Sequence, residues 1–148
     1  MIAPDSLQSL GWRPFFSSQV ADGDAFPARV LNVHRDRLEV AHEGGHGQIE
    51  LSAAAVAMGI TVGDWVMTDR ERSKVTRRLD RIGLFQRRAA GTAGAIQLIA
   101  ANVDTLFIVT SANRDFNVAR IERYLAIAHD AGAYPVIVIT KADTVDST

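Results

Sequence analysis

Two nearly unbroken apolar runs, residues 103–110 and 135–140, flank a segment with helical spacing, and they limit the fold of this chain more than any other feature. Apolar runs without polar alternation belong to strands covered on both faces, the usual condition of a parallel sheet. Between them, over residues 116–131, Val118, Ile121, Leu125 and Ala128 recur three or four apart. Asn117 suits the N-cap of that helix, and Gly132 suits its C-terminal end. Strand, helix and strand predict a β-α-β unit with a right-handed crossover. Such a unit is no domain by itself, because two strands and one helix leave sheet edges and a helix face uncovered. With 148 residues in all, there is room for one small domain ahead of it.

That earlier part reads as short strands. Residues 29–34 are rich in β-branched and apolar side chains, and Leu38, Val40, Ile49 and Leu51 alternate with polar neighbours, as half-buried strands do. Gly44, Gly45 and Gly47 mark a hairpin turn between them. An alanine-rich stretch, 52–59, predicts a short helix ended by Gly59. Val62-Gly63-Asp64 then turns the chain into a strand at 65–68, and a last strand follows at about 74–79. Three strands, a helical connector and two more strands suit a five-stranded OB barrel, with an SH3-like barrel as the rival from pattern alone. Residues 1–26 read as an N-terminal extension whose Trp12, Phe15 and Phe16 pack as core anchors. Residues 27–90 form the barrel, and 91–148 open the α/β part. Gly91, Thr92 and Gly94 lie in the natural linker between the two. The predicted class is thus β plus α/β.

Composition closes several routes. There is no cysteine, so no disulfide framework and no thiolate metal site. The net charge of -1 carries no global signal for nucleic acid. Residues 1–9 hold no basic residue and no long apolar run, so no secretory leader is read there. No stretch nears the roughly 20 apolar residues of a membrane span, and a soluble, cytoplasmic protein with no membrane partner is expected.

Thr140-Lys141-Ala142-Asp143 follows the second apolar strand. In open α/β sheets ligands bind at this end of the strands. The string fits the [NT]-K-x-D pattern that recognises guanine. An aspartate carboxylate accepts two parallel hydrogen bonds from N1 and N2 of guanine, donors that adenine does not offer. The lysine stem packs over the base plane, and the first residue ties the strand end to neighbouring loops. Without a nucleotide the same residues are a solvated polar exit from a strand. No G-x-x-x-x-G-K-[ST] loop, whose amides would cradle phosphates, precedes the motif. Either the order of motifs is permuted or the chain is not a GTPase.

Six segments in order then resemble one family, the circularly permuted, ribosome small-subunit-dependent GTPases called RsgA or YjeQ. They are Leu10-Gly11-Trp12 with Phe15-Phe16 and Pro27-Ala28-Arg29-Val30; Val62-Gly63-Asp64-Trp65-Val66; Arg87-Arg88-Ala89-Ala90-Gly91; Ile99-Ala100-Ala101-Asn102-Val103-Asp104; Ile121-Glu122-Arg123-Tyr124-Leu125; and Thr140 to Asp143. The resemblance covers nearly the whole chain and only the N-terminal portion of the family. It implies an OB domain, a permuted P-loop GTPase domain begun here, and a zinc-binding C-terminal domain beyond Thr148. It implies GTP hydrolysis stimulated by the small ribosomal subunit during late assembly, with GTP or GDP and magnesium as ligands, in a monomer. Thr140, Lys141, Ala142 and Asp143 are then the guanine-binding residues, and no catalytic or metal-ligating residue falls in this chain. Alone, the polypeptide is expected neither to bind GTP tightly nor to hydrolyse it. Thr140 departs from the usual asparagine. Asp80 and the Arg77-Arg78 pair stand where proline and apolar residues are commoner in the family.

Half of all Lys and Arg fall between Arg70 and Arg88, opposed there only by Glu71 and Asp80. The first-second and fourth-fifth strand loops of OB barrels flank a nucleic-acid face. Arg35, Arg37, Arg72 and Lys74 fall at those loops, and Arg77 and Arg78 extend the basic run. These six are the candidate ribosomal RNA contacts. No aromatic residue is interleaved with them, so backbone and shape contact is expected rather than base stacking. A non-enzymatic OB-fold RNA-binding module is the competing function. His42-Glu43-Gly44-Gly45-His46 formally fits the H-E-x-x-H zinc pattern, but that site needs a helix and two central glycines make a turn.

Overall fold

The computed structural model describes residues 6–88, 96–113 and 116–144. It divides into two compact units, Met1–Asn102 and Val103–Thr148.

The first unit is built on strands β1 (Phe26–Val33), β2 (Arg37–His42), β3 (Gly45–Glu50), β4 (Trp65–Thr68) and β5 (Val75–Arg78). They form one antiparallel sheet in the order β3-β2-β1-β4-β5. Alternation makes these strands: Ala28 and Val30, Leu38 and Val40, Ile49, Val66 and Val75 turn their side chains into one core, closed by Ala55 of helix α2 (Ala53–Ala57). Each buried aliphatic side chain there contributes about 1.5–3 kcal/mol as an upper estimate. The Ser52 hydroxyl caps α2, accepting from the Ala55 N–H at 3.2 Å. The β2–β3 hairpin turns on Glu43 and Gly44, with His42 opposite Gly45 and φ of +98° at Gly44. The H-E-x-x-H string therefore crosses a hairpin, and its histidines share no helix face.

All four residues of β4 are buried, because its other face is covered too. Trp65 and Met67 pack there with Phe16, Leu79, Leu7, Leu10 and Trp12. The indoles of Trp12 and Trp65 meet edge to face, centroids 4.7 Å apart. Phe15 departs from expectation: it stands 43% exposed, while Phe16 beside it is buried. Both lie on helix α1 (Pro14–Ser17), where successive side chains point about 100° apart. Only one of the pair can face the sheet.

The extension is also tied by polar groups. The Arg77 guanidinium donates to the Gln19 carbonyl at 2.8 Å and to the Asp24 carboxylate. The Ala21 N–H, which donates to Asp24 at 2.9 Å, together with Arg77, holds the Asp24 carboxyl below the usual carboxylate range. A depressed folded-state value stabilises the fold above the unfolded value of about 3.9, and that share is lost as pH falls through the folded value. Asp24→Asn should therefore be less stable than the parent at pH 7, by a gap that narrows as pH falls from about 3.9 through the lower folded value. Denaturant midpoints followed down from pH 7 measure this; a gap that does not narrow would mean the carboxylate is not the source.

The sequence pattern predicts a new domain from residue 91, and its proposed linker, 89–95, lies outside the described residues. The structure instead keeps β7 (Ile96–Ala101) in the first unit, paired antiparallel with β6 (Leu84–Arg88). The end of this ribbon is fastened to the loop before β4. The Ala101 N–H donates to the Val62 carbonyl at 2.7 Å. The Asn102 side chain donates to the Gly63 carbonyl at 3.0 Å and accepts from the Ile82 N–H at 2.8 Å. Beside it the buried Asp64 carboxylate receives two bonds from Arg81, each 2.7 Å, and one from the Thr61 N–H at 2.8 Å.

The second unit is the expected β-α-β: β8 (Thr105–Ser111), α3 (Val118–Asp130) and β9 (Tyr134–Thr140), the strands parallel and in register from Thr105 opposite Tyr134 to Ser111 opposite Thr140. Asn117 caps α3, accepting from the Arg120 N–H at 2.9 Å, and Gly132 ends it at φ +69°. α3 lies against both strands, with Ile108, Thr110, Ile121 and Ala128 buried. The expectation of burial on both faces is corrected: Phe107 and Val109 stand exposed on the face away from Ile108 and Thr110, and on the other face Ile137 and Ile139 are exposed too. One helix covers one face, and only part of it.

Candidate functional site

β9 delivers Thr140 to the C-terminal edge of the parallel pair. Its hydroxyl donates to the Thr110 carbonyl at 3.1 Å, and its carbonyl accepts from the Ala112 N–H at 2.9 Å. The threonine thus ties the two strand ends together, the role expected of the first motif residue. Lys141 follows in the left-handed region at φ +55°. That turn is rare for a side chain with Cβ, and it ends the strand abruptly. A short 3₁₀ turn, Ala142–Thr144, carries Asp143, whose carboxylate is exposed. Ser111, Arg120, Tyr124, Thr140 and Lys141 line an open cleft of about 600 Å³. Asp143 stands outside that lining. Volumes of this order suit small ligands, and the strand ends supply its polar groups.

The basic candidates separate into two kinds. Arg35 is exposed in the β1–β2 turn, and Arg37 beside it pairs with Asp36 at 3.2 Å. Lys74 is exposed in the β4–β5 turn, and the Arg72 guanidinium lies 4.3 Å from the ring centroid of Phe26. The two turns sit at opposite ends of β1, since Phe26 pairs with Thr68 and Val33 with Leu38. Seven steps of about 3.3 Å put them roughly 23 Å apart. Arg77 and Arg78, by contrast, bond inward: Arg77 to the extension, Arg78 to the Met58 carbonyl at 3.1 Å and its neighbour Leu79 at 3.0 Å. Sequence reasoning missed Phe26 as the partner of Arg72. The pairing depends on strand register and left no local signal.

Among known proteins, a family model described as RsgA GTPase matches residues 78–148. The small ribosomal subunit biogenesis GTPase RsgA of Mesorhizobium japonicum is 50% identical over 143 residues, covering 95% of this chain and 41% of that protein. The small ribosomal subunit biogenesis GTPase RsgA 2 of Vibrio parahaemolyticus is 50% identical over 144 residues, covering 95% of this chain and 39% of its own length. The crystal structure of YjeQ from Thermotoga maritima shares the fold, with a TM-score of 0.63 at 23% identity over 82% of this chain and 43% of that one. Along 95% of its length this chain is similar to these RsgA proteins. It spans about two fifths of the length of these curated relatives.

Proposed function

We propose that the chain forms the N-terminal part of a GTPase that binds the small ribosomal subunit and hydrolyses GTP during its late assembly. In this reading the protein is a cytoplasmic monomer. The five-stranded sheet is an OB-fold that meets ribosomal RNA, and the second unit opens a circularly permuted P-loop GTPase domain. The strand order β3-β2-β1-β4-β5, with α2 between β3 and β4, supports the first part: read from β4 it is the 4-1-2-3 order of a Greek key. A plain meander of the SH3-like kind would not place β1 in the middle. Phe107 and Val109, exposed on the face away from Ile108 and Thr110, mark the face on which further elements of a larger sheet pack.

The observation that carries the nucleotide reading is the position of Thr140 to Asp143 at the end of a parallel strand whose partner ends in Ser111. There Asp143 accepts from guanine N1 and N2, Lys141 covers the base, and Thr140 holds the loop to β8. Phosphate binding, the switch motifs and hydrolysis fall to other segments of the protein. In this reading magnesium and zinc are held by other segments of the protein as well.

In a protein joining this segment to its phosphate loop, Asp143→Ala should weaken GDP about a hundredfold, the loss of two charge-assisted hydrogen bonds. RNA affinity should not change. Asp143→Asn should shift preference toward xanthosine diphosphate, whose 2-oxo group accepts from the new amide. Calorimetric titration reads both. Unchanged GDP binding would sink the guanine assignment and leave the RNA-binding module as the function of these residues.

A further inference from the structure

We propose that the β4–β5 turn binds an unpaired nucleobase of an RNA strand, stacked on the outer face of the Arg72 guanidinium with Phe26 backing it from within. This rests on the RNA-binding reading above and adds the mode of contact, which replaces the expectation of backbone contact alone.

Two uncommon features meet at Arg72. Its backbone sits at φ +54°, a conformation left mostly to glycine and asparagine. Its Nε is buried with no hydrogen-bond partner, and among the described residues no carboxylate pairs with it. Its guanidinium carbon lies over the ring of Phe26, 4.3 Å from the ring centroid. Backbone outliers that persist against their cost point to function when the surroundings enforce them. Here the surroundings do so. The Asp69 carboxylate accepts from the Ser73 N–H and hydroxyl, both at 2.7 Å, and from the Lys74 N–H at 3.3 Å. The Arg72 N–H donates to the Asp69 carbonyl at 3.1 Å, and the Asp69 N–H to the Lys74 carbonyl at 3.1 Å. The turn is rigid before any ligand arrives.

Phe26 stands 39% exposed at the start of β1, anchored where the Thr68 hydroxyl donates to its carbonyl at 3.0 Å. A guanidinium that lies over an aromatic ring offers the planar surface on which a base can stack. Nucleobases extracted from a duplex stack on guanidinium planes and aromatic rings alike. Arg70 and Lys74, both exposed in the same turn, suit the flanking phosphates. Glu71, also exposed, sets a limit on how near a phosphate comes. A base over Arg72 with its phosphates toward Lys74 satisfies both.

The test uses the whole 148-residue chain and two labelled RNA strands of about 12 nucleotides, within the usual span of one strand-binding domain. One carries bases; the other carries abasic sites with the same number of phosphates. Fluorescence anisotropy should show about tenfold tighter binding of the first. Arg72→Lys keeps the charge and the backbone conformation but loses the plane, and Phe26→Leu removes the backing. Each should bind the two strands alike, with the salt dependence of Arg72→Lys unchanged. An Arg72→Lys protein that still prefers the base-bearing strand overturns the proposal. So does a parent chain that binds both strands equally, which would leave phosphate contact alone. Binding of neither strand at low salt would instead remove the RNA reading on which the proposal stands.

Discussion

Gly63→Ala is expected to lower the stability of the first unit by about 2–5 kcal/mol, from two sources that add. The residue sits at φ +86°, where a side chain with Cβ costs about 1–2 kcal/mol. A Cβ built there would also overlap the carbonyl oxygen of Ala101. That oxygen is backbone, at the end of β7, and its own N–H is bonded to the Val62 carbonyl at 2.7 Å. It cannot withdraw without breaking the joint, so crowding adds about 1–3 kcal/mol. Gly44→Ala provides the control. It too has positive φ, +98°, but an added Cβ would meet nothing within 4 Å, so only the conformational part remains. Urea midpoints followed by the fluorescence of Trp65, next in chain to Asp64, compare the two. Equal losses would mean that β7 yields freely and that the joint is loose.

Asp64→Ala should cost about 3–5 kcal/mol, because it strands a guanidinium. Arg81 gives two bonds to that carboxylate and one to the Gly59 carbonyl at 2.7 Å. Its side chain is only 14% exposed and that of Asp64 is fully buried. Attraction between two buried charges roughly offsets their desolvation, so the pair itself adds little net stability. Removing one member leaves the other desolvated and uncompensated. The asymmetry is testable: replacing both, as Asp64→Leu with Arg81→Met, should recover about 2 kcal/mol or more relative to Asp64→Ala alone. A single substitution costing under about 1 kcal/mol would show that water reaches Arg81 once the carboxylate is gone.

These two sites also show why some of the structure was legible in the sequence and some was not. Strands β1 to β5 announce themselves because each turns alternate residues, such as Val30, Val40, Ile49 and Val66, into one core. Strands β6 and β7 do not. Gln86, Arg87 and Arg88 are exposed on one, and Ile96 and Ile99 on the other. Their ribbon is held by one buried side chain on β6, Phe85, by the Thr61 hydroxyl on the Ile99 carbonyl, and by its end through Asn102, rather than by an alternating apolar face. Residues 84–88 therefore read as the end of the barrel with no strand of their own, and 96–101 as part of the next domain. The position of the Thr140 to Asp143 loop was readable because its four residues are contiguous and follow an apolar strand. The Arg72–Phe26 stack was not, since the two meet only through the register that sets Phe26 opposite Thr68. Arg77 and Arg78 misled for a related reason. A run of positive charge looks the same in sequence whether it faces solvent or bonds to Gln19 and Met58.

Two of the six segments in which this chain resembles the RsgA proteins, those around Gly63 and around Asn102, are halves of one contact. Their recurrence is what a shared architecture demands, whatever ligand the protein takes. A descendant could lose every group that touches a nucleotide and keep both segments intact, because without them β7 would have nowhere to fasten. Residues 62–65 and 99–102 thus serve the architecture, whereas the proposed chemistry belongs to Thr140 to Asp143. Drift in that span would change what the protein does long before it changed what the protein looks like.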